Sequence, residues 1–333
     1  MTARTERDVA VIGNGLMGSS IARALARSGW KVTAYDPDAA RAQVLASELP
    51  GVEAEPDLET AVASARLVLT CAPSYEAVFR SLERVKDWNG KTLLNTGTSS
   101  TEEAEKAGAW AAEKGVPYLD AAILCFPQDI GTERGYVLFS GNRDAWAQHE
   151  ELIAALGPAM RFVSEQVQAA SAVDLTIVGG VYVAALAAYV DAVAYAHHQG
   201  VSGDVLDEAT DKVLVALKDG AREAVMAISG GDFTTDQATL SVFTHGGETC
   251  LDGMRSAGFH ANVLEAAVRN LKAAEAAGLG RSSFYALAQV AAEDSVHRQN
   301  KQGMAMPVRD RDATGDHRLL TDSPAATLGS APR

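Results

Sequence analysis

Residues 8–18 read Asp8-Val9-Ala10-Val11-Ile12-Gly13-Asn14-Gly15-Leu16-Met17-Gly18, and the reading of this run decides the fold. Its first five residues are a short apolar stretch of strand type that enters glycine without a linker. Residues 19–30 (SSIARALARSGW) follow, with Ile21, Ala22, Leu25 and Ala26 at helical spacing. Strand, glycine turn and helix is the order that a dinucleotide site requires. Gly13 permits the tight turn, Gly15 lets the backbone approach a pyrophosphate, and Gly18 lets the helix pack close to the strand. Phosphates then meet open N–H groups at the helix start, which makes Gly13, Asn14, Gly15, Leu16, Met17 and Gly18 the candidate cradle. A G-x-G-x-x-G run alone also occurs in purely structural turns. Here its position between strand and helix carries the weight.

Residues 31–35 (KVTAY) read as a second strand that ends in Asp36-Pro37-Asp38. An acid at this tip, 18 residues after Gly18, accepts hydrogen bonds from an adenosine ribose and repels a 2′-phosphate. Asp36 therefore favours NAD(H), with NADP(H) as the alternative because Arg41 follows closely. The bland reading of Asp36 is a turn or cap acid before a helix at residues 39–46. Further on, helices are expected at residues 58–65, 75–85, 101–114 and 143–156, and strands at 67–71, 92–95, 118–124, 136–140 and 161–163. Such alternation predicts an α/β fold with a mostly parallel, doubly wound sheet of the Rossmann type. Ligands of these sheets lie at the carboxyl ends of the strands, so the glycine turn, Asp36, Cys71-Ala72-Pro73 and Asn95-Thr96-Gly97-Thr98 border one cleft. Ala72, Pro73 and Thr96 are the candidate contacts to the nicotinamide half.

Residues 166–199 (QVQAASAVDLTIVGGVYVAALAAYVDAVAYAHHQ) carry no charge between Asp174 and Asp191 and are too long for a strand. One helix of about 34 residues would span roughly 50 Å, longer than a small domain is wide. A helix of that length joins domains. A bilayer span is disfavoured, because the uncharged core falls short of the roughly 20 residues a bilayer needs and is built from small residues. Asp174 is an acid set into an apolar face. Tyr182, eight positions on, is expected roughly 80° around an α-helix and two turns along, so that both border one pocket. After Gly200 the pattern is helical only, with helices expected at 205–218, 221–228, 237–245, 261–277 and 283–298. The domain reading is thus 1–165 for the dinucleotide-binding domain, 166–200 for the interdomain helix, 201–302 for an all-α domain, and 303–333 for a flexible polar tail. The apolar surface of such an arrangement exceeds what a monomer needs, and dimerisation is the expected remedy.

A net charge of −14 excludes phosphate-rich partners such as nucleic acid, which need Lys and Arg clusters. Cys71, Cys125 and Cys250 are far apart and odd in number, which suggests neither a disulfide framework nor a zinc site. The isolated His245 and His260 add no metal site either. The polar start MTARTERD runs straight into a strand, unlike a secretory signal, so the expected compartment is the cytoplasm.

The run Tyr118-Leu119-Asp120-Ala121-Ala122-Ile123-Leu124-Cys125-Phe126-Pro127, followed by Asp129-Ile130-Gly131-Thr132, resembles the strand and substrate-facing loop of imine reductases and reductive aminases, members of the β-hydroxyacid dehydrogenase superfamily. Gly231-Asp232-Phe233, with Asp236 and Leu240, is similar to a stretch of that family's helical domain, and the element order matches over residues 8–298. The resemblance implies a domain-swapped homodimer in which the helical domain of one subunit completes the cleft of the other. It implies NAD(P)H-dependent reduction of a small imine to an amine, and Phe233 as part of the substrate pocket. It also places Asp174 where hydroxyacid dehydrogenases keep a catalytic lysine, paired two turns later with Tyr182 as in reductive aminases. Two positions depart from the family: Asp36-Pro37-Asp38 stands where imine reductases usually show Asn-Arg-Thr or Asn-Arg-Ser, and Thr96 stands where some reductive aminases place an asparagine.

Hydride transfer needs an electron-poor carbon, and a protonated imine is far more electrophilic than a neutral one. Asp174, with its pKa raised by burial, is the candidate proton donor, and its carboxylate then stabilises the iminium. Tyr182 orients the nitrogen or relays the proton. Ile123, Phe126 and Pro127 either line an apolar substrate pocket or cap a strand, and Asp174 as a first-turn dipole acid is the bland counterpart. A hydroxyacid dehydrogenase is the second enzyme reading, disfavoured because residues 162–200 contain no lysine to polarise a carbonyl. A dinucleotide-binding dimeric scaffold without turnover is the third.

Overall fold

The computed structural model describes residues 7–72 and 75–291. It divides into two compact units, with the boundary between Asp191 and Ala192, inside the long helix.

The first unit is built on eight strands. These are β1 (Arg7–Ile12), β2 (Val32–Tyr35), β3 (Val52–Ala54), β4 (Ala65–Thr70), β5 (Thr92–Asn95), β6 (Tyr118–Ile123), β7 (Tyr136–Gly141) and β8 (Ala159–Ser164). They lie in the order β3-β2-β1-β4-β5-β6-β7-β8. All neighbours are parallel except β6 and β7. The helices between them are α1 (Leu16–Arg27), α2 (Ala39–Glu48), α3 (Leu58–Ala63), α4 (Tyr75–Leu82), α5 (Thr101–Glu113) and α6 (Arg143–Ile153). Because helices cover both faces, alternate residues of one strand enter different cores. Val9 and Val11 of β1 join Ile21, Leu25, Leu67, Leu94 and Phe139, whereas Ala10 and Ile12 join Val62, Val68, Leu93 and Tyr118. The expected strands and helices of this half are present, but β3 escaped the sequence reading, being only three residues long at the sheet edge.

The long helix departs from expectation. It starts at Ala169, runs as ordinary α-helix α7 (Ala169–Val173), widens into a π-helix over Asp174–Tyr182, and returns to α-helix as α8 (Val183–His198). Its wide turns end with Val183 N–H donating to Val178 O, five residues back. The sequence explains the widening: Gly179 and Gly180 sit mid-segment among the β-branched Ile177, Val178 and Val181, which pack poorly against a preceding α-turn. The 80° separation of Asp174 and Tyr182 expected of an α-helix therefore does not apply. The 30-residue segment Ala169–His198 holds an 18-residue window of mean hydropathy 1.8 and is by length and composition alone able to cross a membrane, contrary to the shorter span read from its uncharged core. That is a property of length and composition, and its first turns are hydrogen-bonded into the sheet unit.

The second unit is helical: α9 (Gly203–Gly230), α10 (Leu240–Ser256) and α11 (Asn262–Ala276), then a 3-10 turn over Phe284–Gln289. Two small cores hold it. Leu240, Leu271, Ala274 and Ala286 form one with Phe233 against them, and Leu251, Met254, Ala261 and Val268 form the other with Tyr195 and Phe259. Where two helices were expected at 205–218 and 221–228, α9 is continuous. Gly220 is not a break: α9 runs through it, and the Tyr285 hydroxyl lies alongside, donating to Glu223 Oε2 at 2.8 Å. The helix stops at Gly231, whose φ of 67° is left-handed. The helix expected at 237–245 begins later and runs longer, with Thr239 as its N-cap. The last expected helix (283–298) starts as the 3-10 turn and otherwise lies, like the tail at 303–333, outside the described residues.

Candidate active site

The cradle forms where β1 ends. Gly13 has φ 96°, and a Cβ on it would stand 2.3 Å from the Cys71 carbonyl oxygen at the end of β4. A Cβ on Gly18 would stand 1.9 Å from the Gly13 carbonyl, while one on Gly15 would meet nothing within 4 Å. Gly13 and Gly18 therefore bring turn, strand and helix together, and Gly15 leaves its outer side open. Gly15 is the N-cap of α1, with no side chain capping the helix, so the first-turn N–H groups are left for a ligand. Leu16, 84% exposed at the head of that helix, awaits a cover, and Met17 behind it packs partly on the core.

Asn14 fastens the turn to β2. Its N–H donates to Asp36 Oδ2 at 2.6 Å, its Nδ2 donates to Tyr35 O at 2.7 Å, and Ser19 Oγ donates to Asn14 O at 2.9 Å. Asn14 Oδ1 is buried without a partner, a free acceptor beside the cradle. Asp36, 7% exposed, also accepts from Asp38 N–H at 2.9 Å. Of the bland reading the cap half fails, because Asp38 caps α2 by accepting from Ala40 N–H, while the turn half holds, since the Asp38 N–H bond to Asp36 closes a local turn. Arg41, the candidate phosphate ligand, pairs with Asp38 at 3.5 Å. Glycine turn, open helix start, free acceptor and acid at the β2 tip all fit a dinucleotide.

At the β4 and β5 ends, Ala72 is half-buried, and Pro73 lies outside the described residues. Thr96 is buried with its hydroxyl donating to Thr70 O at 2.9 Å, so that oxygen is already engaged. Gly97 packs so closely that a Cβ would meet Ala72 O at 2.8 Å. Near this loop the carboxyl of Asp174 is 8% exposed; burial raises its pKa, and the neighbouring Thr98 hydroxyl partly offsets the rise. Asp174 thus projects into the protein at the carboxyl end of β5, on the side of the sheet where the cradle opens. The dipole-acid alternative is weakened, because Asp174 follows the five-residue α7 rather than leading a helix. Tyr182 closes the π segment and is 48% exposed in a single chain.

The apolar candidates separate. Ile123 packs against the sheet core, Phe126 is 53% exposed and Pro127 is half-buried at the start of a 3-10 turn. The following Asp129-Ile130-Gly131-Thr132 is divided, its first two residues turned inward and its last two exposed. Asp129 and Ile130 are buried, Asp129 is 3.4 Å from Arg134, and Gly131 donates to Leu156 O at 2.8 Å. Phe233 packs on the helical core of the second unit. A cavity of about 720 Å³ between Trp88, Lys91, Thr92 and Pro117 opens at the opposite, amino ends of β5 and β6. Among the described residues no three His, Cys, Asp or Glu side chains converge as a metal site would need.

Residues 8–169 match the family model of the NAD-binding domain of 6-phosphogluconate dehydrogenase, and residues 158–293 match that of the NADPH-dependent reductive aminase-like C-terminal domain. The chain belongs to the 6-phosphogluconate dehydrogenase-like family, and its second domain is of the reductive aminase type. Among relatives of this family, an NADPH-dependent reductive aminase of Aspergillus oryzae is 22% identical over 53% of this chain and 59% of its own length. The chain spans about three-fifths of the length of the curated relatives it matches first. The solved imine reductase from Pseudomonas sp. superposes with a TM-score of 0.80 at 26% identity, covering 86% of this chain and 100% of that one. A variant imine reductase from Myxococcus stipitatus in complex with NAD+ also reaches 0.80, at 23% identity over 86% of this chain and 99% of its own.

Asp120 went unread as a site residue. Its signal was available, since a lone carboxylate in the apolar run Tyr118–Ile123 has to be satisfied inside the fold.

Proposed function

We propose that the protein is an NAD(P)H-dependent imine reductase that reduces a small cyclic or otherwise activated imine to an amine. The observation that carries this reading is the buried carboxyl of Asp174, its pKa raised by burial, at the strand ends where the cradle lies. A bound dihydronicotinamide supplies the hydride, and Gly13, Asn14, Gly15, Leu16, Met17, Gly18, Asp36, Ala72, Pro73 and Thr96 hold the cofactor. Asp174 gives its proton to the substrate nitrogen. The carboxylate it becomes is the counter-charge for the iminium, in a setting where little water competes. Tyr182 orients the nitrogen, and Ile123, Phe126, Pro127 and Phe233 shape an apolar pocket. The acid Asp36 at the β2 tip favours NADH over NADPH.

The working form we propose is a domain-swapped homodimer in the cytoplasm. Residues 1–165 bind cofactor, 166–200 bridge, and 201–302 dimerise and complete the partner's cleft. None of the residues of α8 or α9 is buried, although Leu186, Val190, Val213, Leu217, Val225 and Met226 are among them. So much apolar surface on adjoining helices needs a protein neighbour. Half-exposed Tyr182 would gain its environment from the same neighbour.

The decisive experiment is stopped-flow oxidation of NADH and NADPH with a panel of cyclic imines, in wild type and Asp174→Asn. The expected result is turnover in wild type and a kcat lower by about 100- to 10,000-fold in the variant, the range of a lost proton donor. Equal turnover by both removes the acid role. Binding of reduced cofactor without oxidation on any substrate favours the scaffold reading.

A further inference from the structure

One buried acid near the head of the long helix takes no part in the proposed chemistry. Asp120 lies in β6, fully buried. A carboxylate there is costly unless it is well hydrogen-bonded. Its partners come from several elements. Tyr75 of α4 and Tyr118 of β6 donate to Oδ1, the latter at 3.2 Å, and Ser171 of α7 donates to Oδ2 at 2.5 Å. Since the Ser171 proton is spent on Asp120, it is Ser99 that donates across the 3.0 Å contact between the two serine hydroxyls. The strand partners beside it are Asn95 on β5 and Ser140 on β7. Ser140 Oγ grips the same chain segment, donating to Val167 O at 2.7 Å and accepting from Ala170 N–H at 3.0 Å. The groups facing Asp120 from α4, β5, β6, β7 and α7 are thus all neutral amides and hydroxyls. Burial raises its pKa, and the Ser171, Tyr75 and Tyr118 hydroxyls oppose the rise.

Ser171 and Asp174 are three residues apart, one above the other along the helix. Thr98 and Ser99 are consecutive in the loop after β5. The same loop and the same helical turn are therefore joined through Ser99 and Ser171, with Thr98 beside Asp174. Fixing Ser171 fixes the turn that carries Asp174.

We infer that Asp120 is a positioning residue for Asp174: by holding Ser171, and through it Ser99, it sets the depth and direction at which the Asp174 carboxyl meets the cleft. The inference rests on Asp174 as the proton donor of the proposed reaction. Ser171 is the intermediary, and neither Asp120 nor Ser171 touches substrate.

The test uses the full chain with Asp120→Asn, Ser171→Ala and Ser171→Thr. Four properties are read: thermal unfolding, cofactor affinity, the pH profile of single-turnover imine reduction, and the Asp174 titration by 13C NMR of carboxyl-labelled protein, assigned with Asp174→Asn. Asp120→Asn and Ser171→Ala are expected to lower kcat by about tenfold or more and to shift both the pH profile and the Asp174 titration. Cofactor affinity stays within about twofold, and Ser171→Thr returns kcat to within about threefold of wild type. A wild-type kcat and an unmoved titration in both variants overturn the inference. So does a parallel fall of kcat, cofactor affinity and melting temperature with the titration unmoved, which marks a merely structural group. If Asp120→Asn fails to fold, the Ser171 pair decides. If wild type reduces no imine, the functional reading fails, and the titration alone still decides whether Asp120 positions Asp174.

Discussion

The two halves of this chain treat their apolar residues in opposite ways. In the sheet unit Val9, Val11, Leu67, Leu69, Leu93, Leu94 and Leu119 are all fully buried, and the two faces of the sheet each close over a core. In α8 and α9 no residue is buried, and the second unit keeps only two small clusters at α10, α11 and the 3-10 turn. A unit whose strands are covered by its own helices is complete by itself. Helices as apolar as α8, exposed along their length, are half of a structure. On the proposed reading, the contrast separates a binding task that one chain can finish from a catalytic task that calls for a second copy.

The largest effect should come from making the exposed face polar. Leu217→Glu with Val225→Glu is expected to turn the dimer into a monomer by light scattering and to reduce turnover to background, while cofactor affinity stays at its wild-type value. An active monomer would erase the contrast. The next largest tests the self-sufficient half: in Gly18→Ala the new Cβ is driven toward Gly13 O, and cofactor affinity should fall by about 100-fold or more by fluorescence titration. The dimer should survive. A smaller effect is expected of Asp36→Asn, which keeps the acceptor for Asn14 N–H but removes the charge. The NADH-to-NADPH affinity ratio should move about tenfold toward NADPH, about 1.4 kcal/mol.

The smallest concerns stability. Because the folded-state pKa of Asp174 is raised, folded protein holds this proton more tightly than unfolded chain. Stability is therefore fully present below the unfolded value and falls as pH rises from there through the raised pKa. Asp174→Asn should accordingly be more stable than wild type at neutral pH, by up to about 1 kcal/mol, with the difference vanishing near pH 3 in urea unfolding. The same variant should lose the fall in kcat at high pH that marks deprotonation of the donor.

Much of the sheet unit was legible because its signals are local. Glycine spacing, apolar runs of strand length and helical periodicity each occupy a few residues, and Gly13, Gly15, Gly18 and Asp36 take the positions these signals implied. The capping box of Ser100 and Glu103 at α5 is of the same kind. What stayed illegible depends on distant partners. β3 is a strand only because β2 lies beside it. Gly220 looks like a break, yet α9 runs through it, with Glu223 one turn later bonded to the distant Tyr285. The burial of Asp129 and Ile130, with Gly131 bonded to the chain before β8, appears only in the folded chain, where the resemblance implied a substrate-facing loop. Asp174 was readable as an anomaly on an apolar face. Asp120, an equal anomaly in a strand, could be understood only once Tyr75, Tyr118 and Ser171 converged on it.

The wide turns between Asp174 and Tyr182 have a further consequence. A ring closed on the fifth residue takes in one amino acid more than a ring closed on the fourth, so this stretch of rod stores a spare link. Removing Gly179 or Gly180 would let the ladder return toward its usual spacing without breaking the rod, and the side chains beyond it would keep their faces, because the wide ring had already absorbed the extra residue. The same deletion inside α8 meets no such slack and would turn everything after it by about 100°. The joint therefore tolerates the loss of one residue where the regular turns that follow it do not.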